Sequence, residues 1–285
     1  MGFARLLIDS GGKITDNKRD NDEMLRAVCG AAPAGEREKI RMSHYNCLLI
    51  DLDNTLLDFD AAEAAALRRT LTQFELPADA QTFALYHEIN EGLWREYERG
   101  GIKREKMMTL RFSKLLGKLG RQGSAGKINE FYMAQLGQQG QVLPGALDFL
   151  RDVEDYVTIG IITNGSLRTQ AQRMELSGVG EFADGIFISE KLGVTKPDKR
   201  FVNIALEKLG VTVRKRVLVA GDSLTADIKC GAAAGLDTCW CNFAQKENNT
   251  EIRPTHTVHG FEEFKAVILE QEELEHVGEK KKYQL

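Results

Sequence analysis

Leu48-Leu49-Ile50-Asp51-Leu52-Asp53-Asn54-Thr55 is a short apolar run that delivers two carboxylates, two residues apart, at its C-terminal end. A buried strand has no packing use for two acids. At the mouth of a parallel sheet, carboxylates two apart on an extended strand point together into the crevice where ligands of α/β proteins sit. One can attack while the other handles protons. Asp and Asn are also common turn residues, so the pair taken alone is as well explained by a solvated strand end. Segments further along the chain decide between the two.

Three more apolar runs follow, each ending in polar residues able to hold a phosphate or a cation. Residues 157–162 read as a buried strand, and Thr163-Asn164-Gly165-Ser166 after it offers a hydroxyl, an amide and backbone N–H groups at the start of a helix, which makes an anion site. Thr195-Lys196-Pro197-Asp198 places a lysine just ahead of a helical pattern (Phe201, Ile204, Ala205, Leu209) that stops at Gly210. A cation there neutralises a transferring phosphoryl group. Residues 216–220 form a strand that leads into Gly221-Asp222-Ser223-Leu224-Thr225-Ala226-Asp227, with two acids across a strand-to-helix turn. Hard oxygen ligands in that setting suit Mg²⁺. Singly, each residue has a plainer explanation: a strand end for Thr163, a turn for Asn164, a solvated side chain for Lys196, helix caps for Asp222 and Asp227. Their occurrence on four successive strand ends does not.

The ordered set DLDNT, ITNGS, the lysine of TKP and GDSLTAD resembles the haloacid dehalogenase superfamily of phosphohydrolases over residues 45–270. LLDFDAAEAAALR, INEGLWREYERGGIKREKMMTLRFSKLL, GDSLTADIKCGAAAGLDTCW and IRPTHTV resemble its pyrimidine 5′-nucleotidase branch, whose members remove phosphate from UMP, dUMP, dTMP and related non-standard nucleotides. The resemblance implies a Rossmann-like, doubly wound parallel sheet with a helical cap inserted after the first strand, and Mg²⁺-dependent phosphomonoester hydrolysis with Mn²⁺ as a substitute. It implies Asp51 as nucleophile, forming an aspartyl-phosphate, and Asp53 as the group that protonates the leaving O5′ and then takes a proton from water. Thr163 and Lys196 would stabilise phosphoryl oxygens, and Asn164 would orient Asp51 or the phosphate. Asp51, the Asp53 backbone carbonyl, Asp222 and Asp227 would hold the metal. A covalent intermediate splits one hard displacement into two easier ones. Two acids sharing such work need environments that push their pKa values apart. Beyond that, phosphoryl transfer asks a protein mostly for positioning and charge stabilisation.

Neighbouring chemistries are excluded by the same residues. Asp53 argues against a dehalogenase, which has no phosphate leaving group to protonate, and against a phosphonate hydrolase, which lacks the second Asp. An ion-pumping ATPase would carry DKTGT and membrane helices. A phosphatase for small sugar phosphates or phosphoglycolate stays open as an alternative, differing only in what the cap admits. So does a non-catalytic binding module on the same fold, though such a module has little need for Asp51, Asp53, Lys196, Asp222 and Asp227 together.

At 285 residues the chain has material for a large core, and its formal charge of −4 gives no global attraction to nucleic-acid polymers or anionic lipid. No apolar stretch reaches the length of a membrane span. Five scattered cysteines suit reduced thiols in a cytoplasmic protein. Cys239-Trp240-Cys241 has no nearby second pair to complete a metal site, and His256 and His259 read as surface residues. The expected partner is a small phosphomonoester, a nucleoside monophosphate above all.

The organisation follows from where the motifs fall. Helical periodicity fills residues 60–140, with one apolar face formed by Phe83, Tyr86, Ile89, Leu93, Trp94 and Tyr97 and another by Met107, Met108, Phe112, Leu115, Leu116 and Leu119. This insert is expected to lie over the site as a lid with an apolar, aromatic wall, Trp94 and the methionines serving mainly as packing. The core is expected over 42–59 and 141–275, its alternating helices and strands arguing a parallel, doubly wound sheet closed by a helix at 261–275. The stretch from Asn164 to Lys196 holds one helix and one strand, too short for a second cap. Residues 276–285 read as a solvated tail. Residues 1–41 read as a partly disordered extension that is either regulatory or an upstream start ahead of Met42, the second being favoured.

Overall fold

The computed structural model describes residues 43–269; the expectations for 1–41, for Cys29 and for the 276–285 tail fall outside the described residues. Strand β1 (Cys47–Asp51) is buried throughout, with Leu48 and Ile50 packed into one layer of side chains and Cys47 and Leu49 into the other. Burial on both faces is the reason it reads as an unbroken apolar run. The remaining strands are β2 (Thr158–Thr163), β3 (Gly185–Ile188), β4 (Val217–Gly221), β5 (Asp237–Cys241) and β6 (His256–Val258). All six run parallel in the order β3-β2-β1-β4-β5-β6. The sheet therefore winds outward in both directions from β1, and its ligand crevice opens at the C-terminal ends of β1 and its neighbours.

Between β1 and β2 the chain forms α1 (Phe59–Gln73), α2 (Ala80–Glu98), α3 (Arg104–Lys118), α4 (Ala125–Gly137) and α5 (Ala146–Val153). The first four pack on one another through Leu67, Tyr86, Phe112, Leu115 and Tyr132, a core separate from those of the sheet. Side-chain oxygens of Asp58, Asp79 and Ser124 cap α1, α2 and α4 by accepting from otherwise unpaired first-turn N–H groups. The chain leaves for this helical body and returns from it side by side: Leu57 bridges Val142, Asp58 N–H donates to the Gln141 carbonyl at 3.0 Å, and Leu143 N–H to the Leu56 carbonyl at 2.9 Å.

Helices α5, α6 (Leu167–Ser177) and α10 (Phe261–Leu269) cover one face of the sheet. After the single turn α7 (Ser189–Leu192), α8 (Arg200–Lys208) and α9 (Lys229–Ala233) cover the other. Cys239 and Cys241 lie in the first layer, whereas Trp240 faces away and donates its indole N–H to the Asp222 carbonyl at 2.9 Å. Cys230, Cys239 and Cys241 are buried free thiols, and Cys47 is buried as well. His259 is exposed, but His256 differs from expectation: it is partly buried and hydrogen-bonded to the Tyr45 hydroxyl at 2.8 Å, since β6 docks against β5 and brings its first residue over the sheet's lower end. Among the described residues no helix is long and apolar enough to cross a membrane.

Candidate active site

Three adjacent strands end in functional side chains because each strand stops where it leaves the packed layers: Asp51 on β1, Thr163 on β2 and Asp222 just after β4. Lys196 arrives from the loop after α7 and is buried with all three ammonium hydrogens directed at oxygen. Its Nζ donates to Asp51 Oδ1 at 2.5 Å, to Asp227 Oδ1 at 2.7 Å and to the Ile162 carbonyl at 3.1 Å. Asp227 lies on a π-helical turn (Leu224–Ile228), a distortion often seen where a helix aims a side chain at a site. Gly221 makes that aim feasible. A Cβ there would come within 2.2 Å of Asp227 Oδ2, so any larger residue would expel the carboxylate.

Asp53 also faces the cavity, but its carboxylate is held by two residues that the sequence did not single out. Arg173 Nη1 donates to one oxygen, and Gln170 Nε2 donates to the other at 2.6 Å and to Thr163 Oγ1 at 2.9 Å. Arg173 is buried and also donates from Nε to the Gln139 carbonyl at 3.0 Å, with its guanidinium 5.6 Å from the Phe59 ring. It thus touches both ends of the helical body as well as Asp53. The signal was present, for Gln170 and Arg173 fall on the inward face of α6 three residues apart. Without tertiary contacts, however, polar residues in a helix read as its solvated side.

These contacts add detail to two of the expected residues. Asn164 does line the cavity, yet its amide is used on the main chain of Lys196, accepting from its N–H and donating to its carbonyl at 3.0 Å each. It orients the lysine rather than Asp51. The acids whose oxygens come within 4.8 Å of one another are Asp51, Asp222 and Asp227. The Asp53 carboxylate is not among them, since Arg173 and Gln170 take it up.

The electrostatics of that group are unbalanced. Burial pushes the Asp222 carboxyl up to about 7, with repulsion from Asp227 adding to it. Burial pushes Asp51 up as well; Lys196 opposes this, while Asp227 and Asp222 reinforce it. Burial works against the Lys196 ammonium too, but Asp227 and Asp51 outweigh it and hold the lysine charged. Three acids against the Lys196 ammonium and the more exposed Lys246 ammonium, 3.9 Å from Asp222, still leave an excess of negative charge on hard oxygen atoms, which fits a divalent cation such as Mg²⁺.

One cavity of about 530 Å³ contains all seven expected residues, Asp51, Asp53, Thr163, Asn164, Lys196, Asp222 and Asp227. Its far wall is the helical body, which departs from the apolar, aromatic lining expected. Trp94, Met108 and Met133 are there, and so are Glu63, His87, Asn90 and Arg111. The body meets the core on both sides of the opening: Arg104 donates to Ser166 Oγ at 2.6 Å, and Thr225 Oγ1 donates to Glu98 at 2.9 Å.

An acid pair and a buried ammonium at the mouth of a doubly wound sheet are the equipment of a phosphomonoester hydrolase, and the chain belongs to the haloacid dehalogenase-like hydrolases, whose family model matches residues 45–235. Within that family it is 38% identical to pyrimidine 5′-nucleotidase PynA of Streptococcus pneumoniae over 226 residues, covering 77% of this chain and 93% of that one. It is 34% identical to pyrimidine 5′-nucleotidase YjjG of Escherichia coli over 224 residues, covering 79% and 98%. It is 39% identical to the HAD-hydrolase YfnB of Bacillus subtilis over 227 residues, covering 80% and 97%. A magnesium-bound crystal structure of YfnB matches with a TM-score of 0.74 at 40% identity, over 77% of this chain and 96% of that one.

Proposed function

We propose that this chain is a Mg²⁺-dependent 5′-nucleotidase that removes phosphate from pyrimidine nucleoside monophosphates through a phosphorylated Asp51. The observation that carries it is the cavity itself, with the Asp51–Lys196 contact of 2.5 Å at one end and a polar helical wall at the other. The two relatives named pyrimidine 5′-nucleotidases support the substrate class. Residues 60–140 would act as a cap over a core formed by 42–59 and 141–275.

Asp51 attacks phosphorus, the P–O5′ bond breaks, and Asp53 gives its proton to O5′. A water then attacks the same phosphorus and passes a proton to Asp53, and the bond to Asp51 breaks to release inorganic phosphate. Lys196 places positive charge where the phosphoryl oxygens gather negative charge. The Thr163 hydroxyl accepts from Gly165 N–H at 3.1 Å and from Gln170, which leaves its own proton for a phosphoryl oxygen. Asp51, Asp222 and Asp227, with the Asp53 carbonyl, would hold Mg²⁺, which when bound neutralises phosphoryl charge.

The test is Mg²⁺-dependent phosphate release across UMP, dUMP, dTMP, AMP, phosphoglycolate and ribose 5-phosphate. Pyrimidine nucleotides are expected to give the highest kcat/KM, in line with the two relatives named pyrimidine 5′-nucleotidases. Equal values for AMP and UMP, or a preference for ribose 5-phosphate, would overturn the nucleotidase reading and leave the phosphatase chemistry in place.

Chelation by EDTA is expected to abolish turnover and Mg²⁺ or Mn²⁺ to restore it, with Asp222→Ala raising the Mg²⁺ concentration needed. The Asp222 value of about 7 lies above the ordinary 3.8, so the metal-free folded chain binds the extra proton. That contribution to stability is complete below about pH 4 and is lost as pH rises to about 7. Thermal melts in EDTA should therefore fall across that window and flatten in Asp222→Asn. Full turnover in chelator would remove the metal from the mechanism.

Arg173 and Gln170 fix the plane of the Asp53 carboxylate and hold it where it can exchange a proton with the leaving oxygen and with water. Arg173→Met is expected to lower kcat for UMP by about 10- to 100-fold, a part of what general acid–base catalysis supplies. KM should change little, since Arg173 touches Asp53 and not the substrate. Unchanged kcat would reduce Arg173 to a packing residue.

A further inference from the structure

The helical body buries a charged and polar network that phosphate chemistry does not use. Glu63 on α1, Asn90 on α2 and Arg111 on α3 are 7%, 5% and 3% exposed, and all three line the cavity that contains Asp51. Asn90 Nδ2 donates to Glu63 Oε1 at 2.8 Å, and Arg111 Nη1 donates to Asn90 Oδ1 at 3.4 Å. Arg111 is anchored behind by Asn129 Oδ1 at 2.8 Å and by the Tyr132 ring 4.6 Å away. The other Glu63 oxygen lies 3.4 Å from His87 Nδ1, and His87 lines the cavity too.

Packing does not call for this arrangement. Asn90 stands between Tyr86 and Leu93 on the buried stripe of α2, and Arg111 between Met107 and Leu115 on that of α3, places where leucine would hold the bundle with no desolvation cost. Glu63 and Arg111 form no direct ion pair; the Asn90 amide separates them, and the titratable group in contact with Glu63 is His87. His87 turns Nδ1 to Glu63 and Nε2 to Glu91 at 3.3 Å, whereas Asn90 spends one Nδ2 hydrogen on Glu63 and keeps a second, so Glu63 and Asn90 offer an acceptor beside a donor in the cavity wall. Uracil and thymine present the complement, the N3–H donor beside a carbonyl acceptor. Cytosine has a lone pair at N3, which would face the carboxylate. Trp94, Met108 and Met133 supply apolar surface for the faces of a flat ring beside this edge.

We infer that Glu63 is the specificity-determining group for the base, accepting the N3–H of uracil or thymine while the second Nδ2 hydrogen of Asn90 donates to a flanking carbonyl oxygen and Arg111 fixes Asn90. The inference rests on the nucleotidase reading and deepens it. Sites built to hydrogen-bond a substrate N–H reject analogues lacking it strongly, because their buried groups are left unpaired.

The experiment compares kcat/KM of the full chain for UMP, dTMP, CMP, N3-methyl-UMP and ribose 5-phosphate, then repeats it with Glu63→Gln. UMP and dTMP are expected to exceed CMP and N3-methyl-UMP at least tenfold. Glu63→Gln is expected to lower the ratio of UMP to ribose 5-phosphate at least tenfold. N3-methyl-UMP turned over as well as UMP by the unaltered chain would overturn the inference whether or not the variant folds, and so would an unchanged ratio in Glu63→Gln. A chain that favours ribose 5-phosphate over UMP would instead remove the nucleotidase reading beneath it.

Discussion

Asp51→Asn is expected to release no measurable phosphate from any monophosphate, a loss of at least roughly a thousandfold, while melting at or above the temperature of the unaltered chain. The amide has the shape of the carboxylate without its nucleophilicity, so no phosphorylated intermediate can form. Stability should not suffer, because burial already disfavours the Asp51 carboxylate and two further acids repel it. Removing that charge relieves the repulsion, and Lys196 keeps Asp227 as its partner at 2.7 Å. Asp51→Glu should fail as well, since a displacement of about 1 Å at the reacting atom can cost on the order of a hundredfold in rate. Phosphate-release kinetics and a thermal melt on the same preparation check both parts. Asp51→Asn working at the unaltered rate would disprove the covalent route.

Lys196→Met should be damaging in both respects. The ammonium is the cation that Asp51 and Asp227 share, and it also satisfies the Ile162 carbonyl. Deleting one partner of a buried ion pair typically costs about 3–5 kcal/mol, because the remaining charge is left without compensation. The acids can escape that penalty only by taking up a proton, and a protonated Asp51 does not attack. Turnover is therefore expected to fall more than a hundredfold together with the urea midpoint, in keeping with what loss of one preorganised charge removes. Added Mg²⁺ should restore part of the stability and little of the turnover. Lys196→Arg should not rescue, since a planar fork cannot direct three hydrogens at the three oxygens around Nζ. A stable, active Lys196→Met would detach the lysine from both roles.

The fold was legible where burial leaves a one-dimensional trace. β1, β2 and β4 are sandwiched between helix layers, so they appear as apolar runs, and the abrupt change to acids, Thr and Asn marks where each leaves the sheet. The helices of the insert showed through Tyr86, Leu93, Phe112 and Leu115 for the same reason. The groups that support the site leave no such trace. Gln170 and Arg173 are polar residues on a helix, and only the packing of α6 beneath Asp53 turns them inward. Asn164 was legible as a cavity residue but not as the partner of the Lys196 main chain, a contact across 32 positions of sequence. Glu63, Asn90 and Arg111 interrupt apolar stripes, and a polar residue within a stripe is visible only to a reader who asks why it is not a leucine.

The two strands of chain that connect the helical body to the sheet lie against each other at Leu57 and Val142. An insertion whose ends meet behaves as a plug-in part: it can be lifted out and exchanged without lengthening, tearing or re-routing the host. Exchanging the plug leaves Asp51, Lys196, Asp222 and Asp227 where the sheet holds them. A component that resists such trading is Arg173, which grips the socket at Phe59 and Gln139 together with Asp53. A foreign insert will work only if it offers that guanidinium the same carbonyl and ring, so compatibility of transplanted helices can be judged at two positions before any is made.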